Sequence, residues 1–284
     1  IKSPTVTGNI YRTRTTVFIV ATFFCVMLFT KIALNAQTIS DNFANLATAY
    51  NNYGFVYCFS NSVVDVGIGQ PSDYSEDKML EIKDDLDSVG TTDSTLGKDK
   101  PNVIFVQLES FMDPSYVKYL TFNENPIPNF TKLKEECTSG FLTMPAIGAG
   151  TANSEFEVLS GFNVAYFGAG EYPYKTILGK QTIETMATQL KLDGYSTHAM
   201  HNHDGTFYDR YKVYKNMGFD TFTPMEYMYN LHLTQKNWEK DDVLTGEIMK
   251  TLTFTTSRDF IFTVSVQGHG RYPVSYTHLT LPTN

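Results

Sequence analysis

The sequence has 284 residues, of which 42% are hydrophobic and 18% charged, and its formal net charge is −8. This composition is apolar enough to bury a sizeable core and excludes a disordered chain. The acidic excess argues against nucleic acid as a partner, because phosphate contacts need a basic surface. The three cysteines, Cys25, Cys58 and Cys137, are too few and too scattered to indicate a disulfide framework or a structural zinc site.

The first predicted element is a transmembrane helix over residues 16–34. Its segment Val17–Thr30 contains no charged residue, and the long side chain of Lys31 can reach the membrane interface. A buried core helix and a signal peptide are the alternatives. Basic residues precede the segment, whereas none follows Lys31 until Lys78. The positive-inside rule therefore places residues 1–15 in the cytoplasm and the remainder of the chain outside the cell membrane.

Residues 35–99 are rich in Asn, Ser, Thr and Asp, which predicts an extracellular linker with short helices. A different composition begins at Lys100, where we expect the main domain to start. Residues 274–284 contain neither a helix cap nor a domain-closing element, so we interpret them as a foreign tail. Because the chain begins with Ile1, we expect it to be a fragment of a longer protein.

Three apolar segments of the main domain are predicted to be strands. Val103–Leu108 and Phe260–Val266 are continuous apolar runs rich in β-branched residues, which is typical of parallel strands buried on both faces. Tyr195–Met200 is a plausible third strand. Helical patterns between these strands predict one helix that ends at Gly194 and another that begins at Asp242. Alternating strands and helices indicate an α/β domain.

Ligands of open α/β sheets bind at the carboxyl ends of the strands. Two residues near such ends are candidate site residues. Glu109 follows the first strand; it suits a metal ligand, although a helix cap or a solvated side chain is the commoner role. Thr151 follows the glycine-rich residues Gly148–Gly150 at the start of a predicted helix. Its simplest role is an N-cap. The alternative is a nucleophile that attacks a phosphate held by the free N–H groups of the helix.

Histidines cluster between residues 198 and 203. His198, His201 and His203 suit either zinc or, together with the nearby arginine, a phosphoryl oxygen; a solvated loop is the third interpretation. A further histidine, His269, follows the last apolar strand. At that position it can donate a proton to a leaving oxygen.

Four motifs occur in a fixed order: PNVIFVQLESF at 101–111, GAGTANSEFEVLSG at 148–161, HNHDGTFYDR at 201–210 and VQGHGRYP at 266–273. Together they resemble the lipoteichoic acid synthases and related phosphoglycerol transferases of the alkaline phosphatase and sulfatase superfamily. The resemblance covers about residues 100–273. It implies a three-layer α/β/α catalytic domain, here incomplete, on the outer side of a membrane anchor.

The resemblance implies specific roles for the candidate residues. Thr151 corresponds to the nucleophile, and Glu109 and Thr151 correspond to ligands of one divalent metal ion, usually manganese. The residues expected to hold glycerol phosphate are His201, Tyr208, Arg210 and His269, with Tyr208 standing where the family commonly has Trp. The family's other two metal ligands are an adjacent Asp-His pair, which does not follow His269 in this sequence. We therefore expect this fragment to be inactive.

The resemblance also implies a function for the parent protein. We expect it to transfer glycerol phosphate from phosphatidylglycerol to a growing glycerol-phosphate polymer, lipoteichoic acid, through a covalent intermediate on the threonine. A phosphoethanolamine transferase is the nearest alternative, although such enzymes usually contain disulfides. A sulfatase-type hydrolase is less expected because no Cys/Ser-x-Pro-x-Arg motif is present. From another class, a membrane-anchored binding protein that lost the metal is also compatible with the sequence.

Overall fold

A computed structural model describes residues 9–36, 38–39, 43, 46–64, 68–69, 71–88, 100–146, 150–168 and 170–270. The chain divides into two compact units. One contains Ile1–Glu81 and Asn163–Glu171, and the other contains Ile82–Phe162 and Tyr172–Asn284. The predicted tail, residues 274–284, lies outside the described residues.

The first unit is helical. Its elements are α1 (Asn9–Asn35), α2 (Leu46–Tyr53), α3 (Phe55–Val64), the first part of α4 (Glu76–Ser88) and a short 3-10 helix (Val164–Tyr166). Within the described residues, α1 is the one helix long and apolar enough to cross a membrane, with a mean hydropathy of 2.4 over its most apolar part. Its large side chains are exposed, as Phe18 and Phe29 show at 72% and 71%. That exposure argues against the alternative of a buried core helix.

The second unit contains a four-stranded parallel sheet. Its strands are β1 (Val103–Gln107), β2 (Tyr195–His201), β3 (Thr221–Pro224) and β4 (Arg258–Val264), arranged in the order β1-β4-β2-β3. The three predicted strands and the parallel sheet are confirmed. β3 was not predicted from the sequence, because it has four residues and ends in proline, which is uncommon within a strand.

Helices connect these strands: α5 (Pro128–Glu136), α6 (Thr151–Ser160), α7 (Met186–Leu192), α8 (Arg210–Asn216) and α9 (Asp242–Phe254). The two predicted helices are confirmed, since α7 ends two residues before Gly194 and α9 begins at Asp242. Thr185 begins α7 with a capping box that it forms with Thr188, so backbone groups at the start of this helix are satisfied by side chains.

The helices pack on both faces of the sheet. On one face, Tyr214 of α8 contacts Phe262 of β4 edge to face. On the other face, Leu244 of α9 packs with Met200 of β2 and Ile261 of β4. This arrangement is the expected three-layer α/β/α architecture.

The expectation that Val103–Leu108 is buried on both faces is wrong. Ile104 and Val106 of β1 are 41% and 50% exposed. The reason is position in the sheet: β1 is an edge strand, and α9 packs over β4 and β2 instead of over β1. By contrast, β4 lies between two strands and is buried along almost its whole length.

Candidate active site

The carboxyl end of the sheet brings together Glu109, which follows β1, and Thr151, the first residue of α6. The Thr151 hydroxyl donates a hydrogen bond of 2.9 Å to Glu109 Oε1, although 42 positions separate the two residues. The expected proximity of this pair is therefore confirmed. A hydroxyl and a carboxylate in direct contact provide the two groups that a metal-assisted nucleophile requires.

The backbone around Thr151 argues against the simpler role of an N-cap. The cap position is occupied by Gly150, whose φ of 93° is left-handed, and no side chain caps the helix. Glycine is needed there because of this angle and because a Cβ would lie 3.2 Å from the Tyr172 hydroxyl oxygen. The Thr151 side chain is therefore free of a capping function and points toward Glu109 instead.

Glu109 lies in a partly buried position that the turn after β4 completes. Burial raises its pKa above the usual value, although the hydrogen bond from Thr151 and the nearby His269 lower it in part. The turn approaches so closely that a Cβ on Gly268 would lie 2.5 Å from the Glu109 carbonyl oxygen. Glycine at position 268 thus allows His269 Nε2 to lie 3.6 Å from Glu109 Oε1.

His201 is the last residue of β2, at the carboxyl end of the sheet, and is fully buried. Its Nδ1 lies 2.9 Å from the carbonyl oxygen of Val264. A carbonyl oxygen only accepts hydrogen bonds, so Nδ1 carries the proton and Nε2 is the acceptor of the ring. Burial lowers the pKa of His201 to about 3, helped by the positive charge of Arg210. This histidine is neutral at physiological pH.

Arg210, expected to hold the phosphate, has its side chain only 1% exposed. Its guanidinium donates two hydrogen bonds to the carboxylate of Glu155, and the hydroxyls of Tyr174 and Tyr214 donate two more to the same carboxylate. Burial opposes both charges, but each partner compensates the other: Arg210 lowers the pKa of Glu155, and Glu155 raises the pKa of Arg210. Nη1 is directed to the Phe207 carbonyl oxygen at 3.4 Å, a long contact.

Tyr208 lies against this buried pair. Its backbone has a φ of 59° and that of Asp209 a φ of 56°, an unusual conformation for residues other than glycine. The Tyr208 ring stacks on Tyr172 with centroids 5.8 Å apart, and the Arg210 guanidinium carbon lies 5.3 Å from the centroid of Tyr208. This turn places the Tyr208 ring over the Arg210 guanidinium, which is a cation–π contact.

The three histidines of the cluster do not share one site, because the His203 ring contacts that of His201, with centroids 5.8 Å apart, whereas His198 lies apart from both. His198 lies on the opposite face of β2, with Nε2 3.3 Å from Asp259, whereas His203 Nδ1 lies 3.6 Å from Glu239. Among the described residues there is no group of three or more His, Cys, Asp or Glu side chains arranged to bind a metal ion. The zinc interpretation of this cluster therefore has no support from the described part of the chain.

The Glu109 and Thr151 oxygens do fit part of an oxygen-rich cation site. They are 2.9 Å apart and partly buried, and a carboxylate with a hydroxyl is a donor set that hard divalent cations accept. The residues present thus offer two donors to a single ion. The adjacent Asp-His pair of the family, expected as the remaining ligands, has no counterpart between His269 and Asn284.

Two functional features were missed by reading the sequence. Glu155 falls on the buried face of α6, one turn after Thr151, and a charged residue among apolar ones is the signal that was available. Trp238 contacts the His269 ring, with centroids 4.3 Å apart. It is the only tryptophan of the sequence and stands in a polar segment, which is where a binding aromatic would be sought.

Comparisons with known proteins show the family and the fold of this chain. A family profile described as "Sulfatase" matches residues 101–281. Two curated proteins of Rhizobium meliloti (strain 1021) are similar: a "Putative cyclic beta-1,2-glucan modification protein", 32% identical over 225 residues, and "Capsular polysaccharide biosynthesis protein RkpI", 25% identical over 178 residues. The alignments cover 78% and 61% of this chain, but only 33% and 32% of those proteins.

Two solved structures share the fold. The Streptococcus pyogenes phosphoglycerol transferase GacH, solved in complex with sn-glycerol-1-phosphate, matches with a TM-score of 0.63 at 22% identity, covering 74% of this chain and 56% of that one. The lipoteichoic acid synthase LtaP from Listeria monocytogenes matches with a TM-score of 0.52 at 23% identity, covering 64% and 45%. At these identities the likeness concerns the fold.

Proposed function

This chain belongs to the sulfatase family, and from that membership we propose that its parent is a membrane-anchored phosphotransferase. It moves glycerol phosphate from phosphatidylglycerol to an acceptor hydroxyl on the outer face of the cell membrane. The observation that supports this most is the hydrogen bond of 2.9 Å between Thr151 and Glu109 at the carboxyl end of the sheet. A threonine that begins a helix there, without a capping role, suits a nucleophile.

In the first step, Thr151 Oγ1 attacks the phosphorus and the bond from phosphorus to the diacylglycerol oxygen breaks. The hydroxyl proton leaves toward Glu109 Oε1, and His269 Nε2, 3.6 Å from that oxygen, delivers a proton to the departing diacylglycerol. The product is a glycerophospho-threonine. In the second step, the acceptor hydroxyl attacks the phosphorus and gives its proton to His269 Nε2, while the bond from phosphorus to Thr151 Oγ1 breaks and Glu109 returns the proton to the threonine.

The remaining candidates position the donor. His201 offers Nε2 as an acceptor for a glycerol hydroxyl, because its other nitrogen is occupied by the Val264 carbonyl. Arg210, whose charge is paired with Glu155, holds the Tyr208 ring from one side. A divalent ion, manganese in our proposal, would be held by Glu109 and Thr151 and would stabilise the negative charge of the phosphate.

The acceptor is a polyglycerol-phosphate chain or a glycan. The first choice follows from the resemblance to lipoteichoic acid synthases, and one structural neighbour bears that name. The second is favoured by the 32% identical relative, which is named for the modification of a cyclic glucan. Both acceptors present alcohol groups, so the two-step chemistry is the same for either.

The experiment uses the full-length protein in vesicles whose phosphatidylglycerol carries a labelled glycerol headgroup. Polyglycerol-phosphate oligomers are added to one series and β-1,2-glucan oligosaccharides to another, with EDTA and with manganese restored after EDTA. We expect diacylglycerol release and label in one acceptor, both lost with EDTA and recovered with manganese. Consumption of phosphatidylethanolamine, or hydrolysis of an aryl sulfate without lipid turnover, would contradict the proposal. A protein that consumes none of these donors would be a binding protein.

A further inference from the structure

A hairpin over residues 232–240 presents a tryptophan to the active site. Leu233 and Glu239 form an antiparallel bridge, and the Lys240 N–H donates to the His232 carbonyl oxygen at 2.8 Å. Both backbone polar groups of Trp238 bond to Thr234, as its N–H donates to Oγ1 at 3.0 Å and its carbonyl accepts from the Thr234 N–H at 2.7 Å. The tryptophan is therefore held by the backbone of the hairpin and not by a loose loop.

Trp238 continues a chain of contacts that begins at the nucleophile. Thr151 bonds to Glu109, and His269 Nε2 lies 3.6 Å from the same carboxylate. The Trp238 ring then lies 4.3 Å from His269 and 5.3 Å from His203, measured between centroids. The tryptophan thus lies beside the proposed proton donor.

The polar atoms around Trp238 are buried and lack hydrogen bonds. His203 Nδ1, Glu239 Oε2 and His269 Nδ1 have no hydrogen-bond partner among the described residues. The first two are 3.6 Å apart, which is too long for a hydrogen bond. Buried polar groups without partners destabilise a folded protein, so such atoms usually serve a purpose. An alcohol both donates and accepts, and one hydroxyl can contact both His203 and Glu239.

The proposed two-step reaction indicates which alcohol binds beside Trp238 and His269. In a two-step displacement, the departing diacylglycerol and the incoming acceptor occupy the same side of the phosphorus. Both exchange a proton with the same group, which is His269 in our mechanism. Residues packed against His269 are therefore placed to contact the acceptor alcohol, and we assign the donor's glycerol phosphate to Tyr208, Arg210 and His201.

We propose that Trp238, His203 and Glu239 form an acceptor shelf that binds a polyol or sugar next to the attacking hydroxyl. The inference rests on the proposed function. The indole presents an apolar surface to the C–H groups of the polyol, and the unpaired atoms of His203 and Glu239 bind its hydroxyls. The shelf selects the acceptor and competes with water for the covalent intermediate.

The test compares W238A and W238F with K236A in the full-length protein. Lys236 is an exposed residue at the tip of the same hairpin and is the matched control. Diacylglycerol release without acceptor measures reaction with water, and label in the added glycan or polyglycerol phosphate measures transfer. For W238A we expect a rise of about 10-fold in the acceptor KM and an equal fall in the ratio of transfer to hydrolysis. W238F should recover part of this loss, and K236A should match the parent.

Several outcomes overturn the shelf without touching the phosphotransferase. An unchanged acceptor KM in W238A would show that Trp238 does not bind the acceptor. A parallel fall of hydrolysis and transfer would show that it only supports the fold around His269. The acceptor that shows the KM change identifies whether the polyol comes from a glycan or from polyglycerol phosphate.

A binding measurement separates failure of the shelf from failure of the proposed function. The full-length parent and its W238F variant are titrated side by side, and the part of the tryptophan emission that is absent in W238F reports on the shelf. We expect β-1,2-glucan oligosaccharides or polyglycerol-phosphate oligomers to change the emission saturably, and K236A to give the same titration. A saturable change with a parent that turns over no donor would retain the shelf and reject the transferase. No change with either compound would reject the shelf.

Discussion

Glu109 and Glu155 are close enough to interact electrostatically, yet they occupy opposite environments. Glu109 is partly exposed at the end of β1, and Thr151 and His269 approach one of its oxygens. Glu155 is completely buried and accepts four hydrogen bonds from Arg210 and two tyrosines. The pKa of Glu109 is raised by burial, whereas that of Glu155 is lowered by Arg210 despite burial.

This difference indicates a chemical role for Glu109 and a structural role for Glu155. A carboxylate with few partners and a raised pKa can bind a cation or exchange a proton. A carboxylate whose acceptor capacity is filled by the protein can only fix the geometry of its partners. Because Glu155 lies one turn after Thr151 on α6 and binds Arg210 of α8, it holds the proposed nucleophile and the proposed phosphate-binding cation in a constant relation.

The largest effect should come from Thr151, the hydrogen-bond partner of Glu109. T151A removes the nucleophilic oxygen, and we expect phosphatidylglycerol turnover to fall by on the order of 10³-fold or more. T151S keeps a hydroxyl and should retain measurable turnover. Because Gly150 and not Thr151 occupies the cap position, both variants should melt within a few degrees of the parent. Turnover of T151A equal to that of the parent would leave the mechanism without a nucleophile.

The second effect concerns the buried side. E155Q leaves Arg210 charged, buried and without its counter-ion, and removing one partner of such a pair destabilises a protein by about 3–5 kcal/mol. We expect a large fall in melting temperature of the full-length protein in detergent, and a smaller one for Y174F, which removes one of the four hydrogen bonds. Melting temperatures equal to that of the parent in E155Q would mean that Arg210 is solvated.

Features that lie within one continuous stretch of sequence could be predicted, whereas features that join distant positions could not. The strands β1 and β4 and the residues Glu109 and Thr151 lie in continuous motifs, so local pattern and resemblance located them. The Glu155–Arg210 pair joins positions 55 apart, on α6 and α8, and only the tertiary fold brings these two side chains together. Local pattern carries no information on such packing, which is also why the exposure of β1 was predicted wrongly.

The third prediction tests whether Arg210 contributes to phosphatidylglycerol turnover as well as to the buried ion pair with Glu155. R210K exchanges a planar fork, two of whose donors bind Glu155, for a point charge. We expect kcat/KM for phosphatidylglycerol to fall by about 10- to 100-fold, the size of one or two charge-assisted hydrogen bonds. If the melting temperature falls as in E155Q and kcat/KM is unchanged, Arg210 acts only in the buried pair. K212A on the exposed side of α8 is the matched control and should change neither quantity.

The smallest expected effect is the loss of folding stability at low pH that His201 causes. His201 has a pKa lowered to about 3 by burial, against an ordinary value near 6.5. Below about pH 6.5 the unfolded chain therefore binds a proton at this residue that the folded chain does not, and folding loses stability as the pH falls toward 3. Above pH 6.5 the residue contributes no pH dependence. The loss should amount to about 1.4 kcal/mol for each pH unit below 6.5.

The difference between the parent and H201Q isolates this contribution, because all other groups titrate in both proteins. Glutamine keeps an N–H that can reach the Val264 carbonyl oxygen, which His201 Nδ1 contacts at 2.9 Å. Between pH 6.5 and 5.5 we expect the melting temperature of the parent to fall by about 2–4 °C more than that of H201Q. If the parent and H201Q lose stability in parallel, His201 gains its proton in the folded state as easily as in the unfolded one, and the buried side of the site is more open to water than the hydrogen bonds around Glu155 indicate.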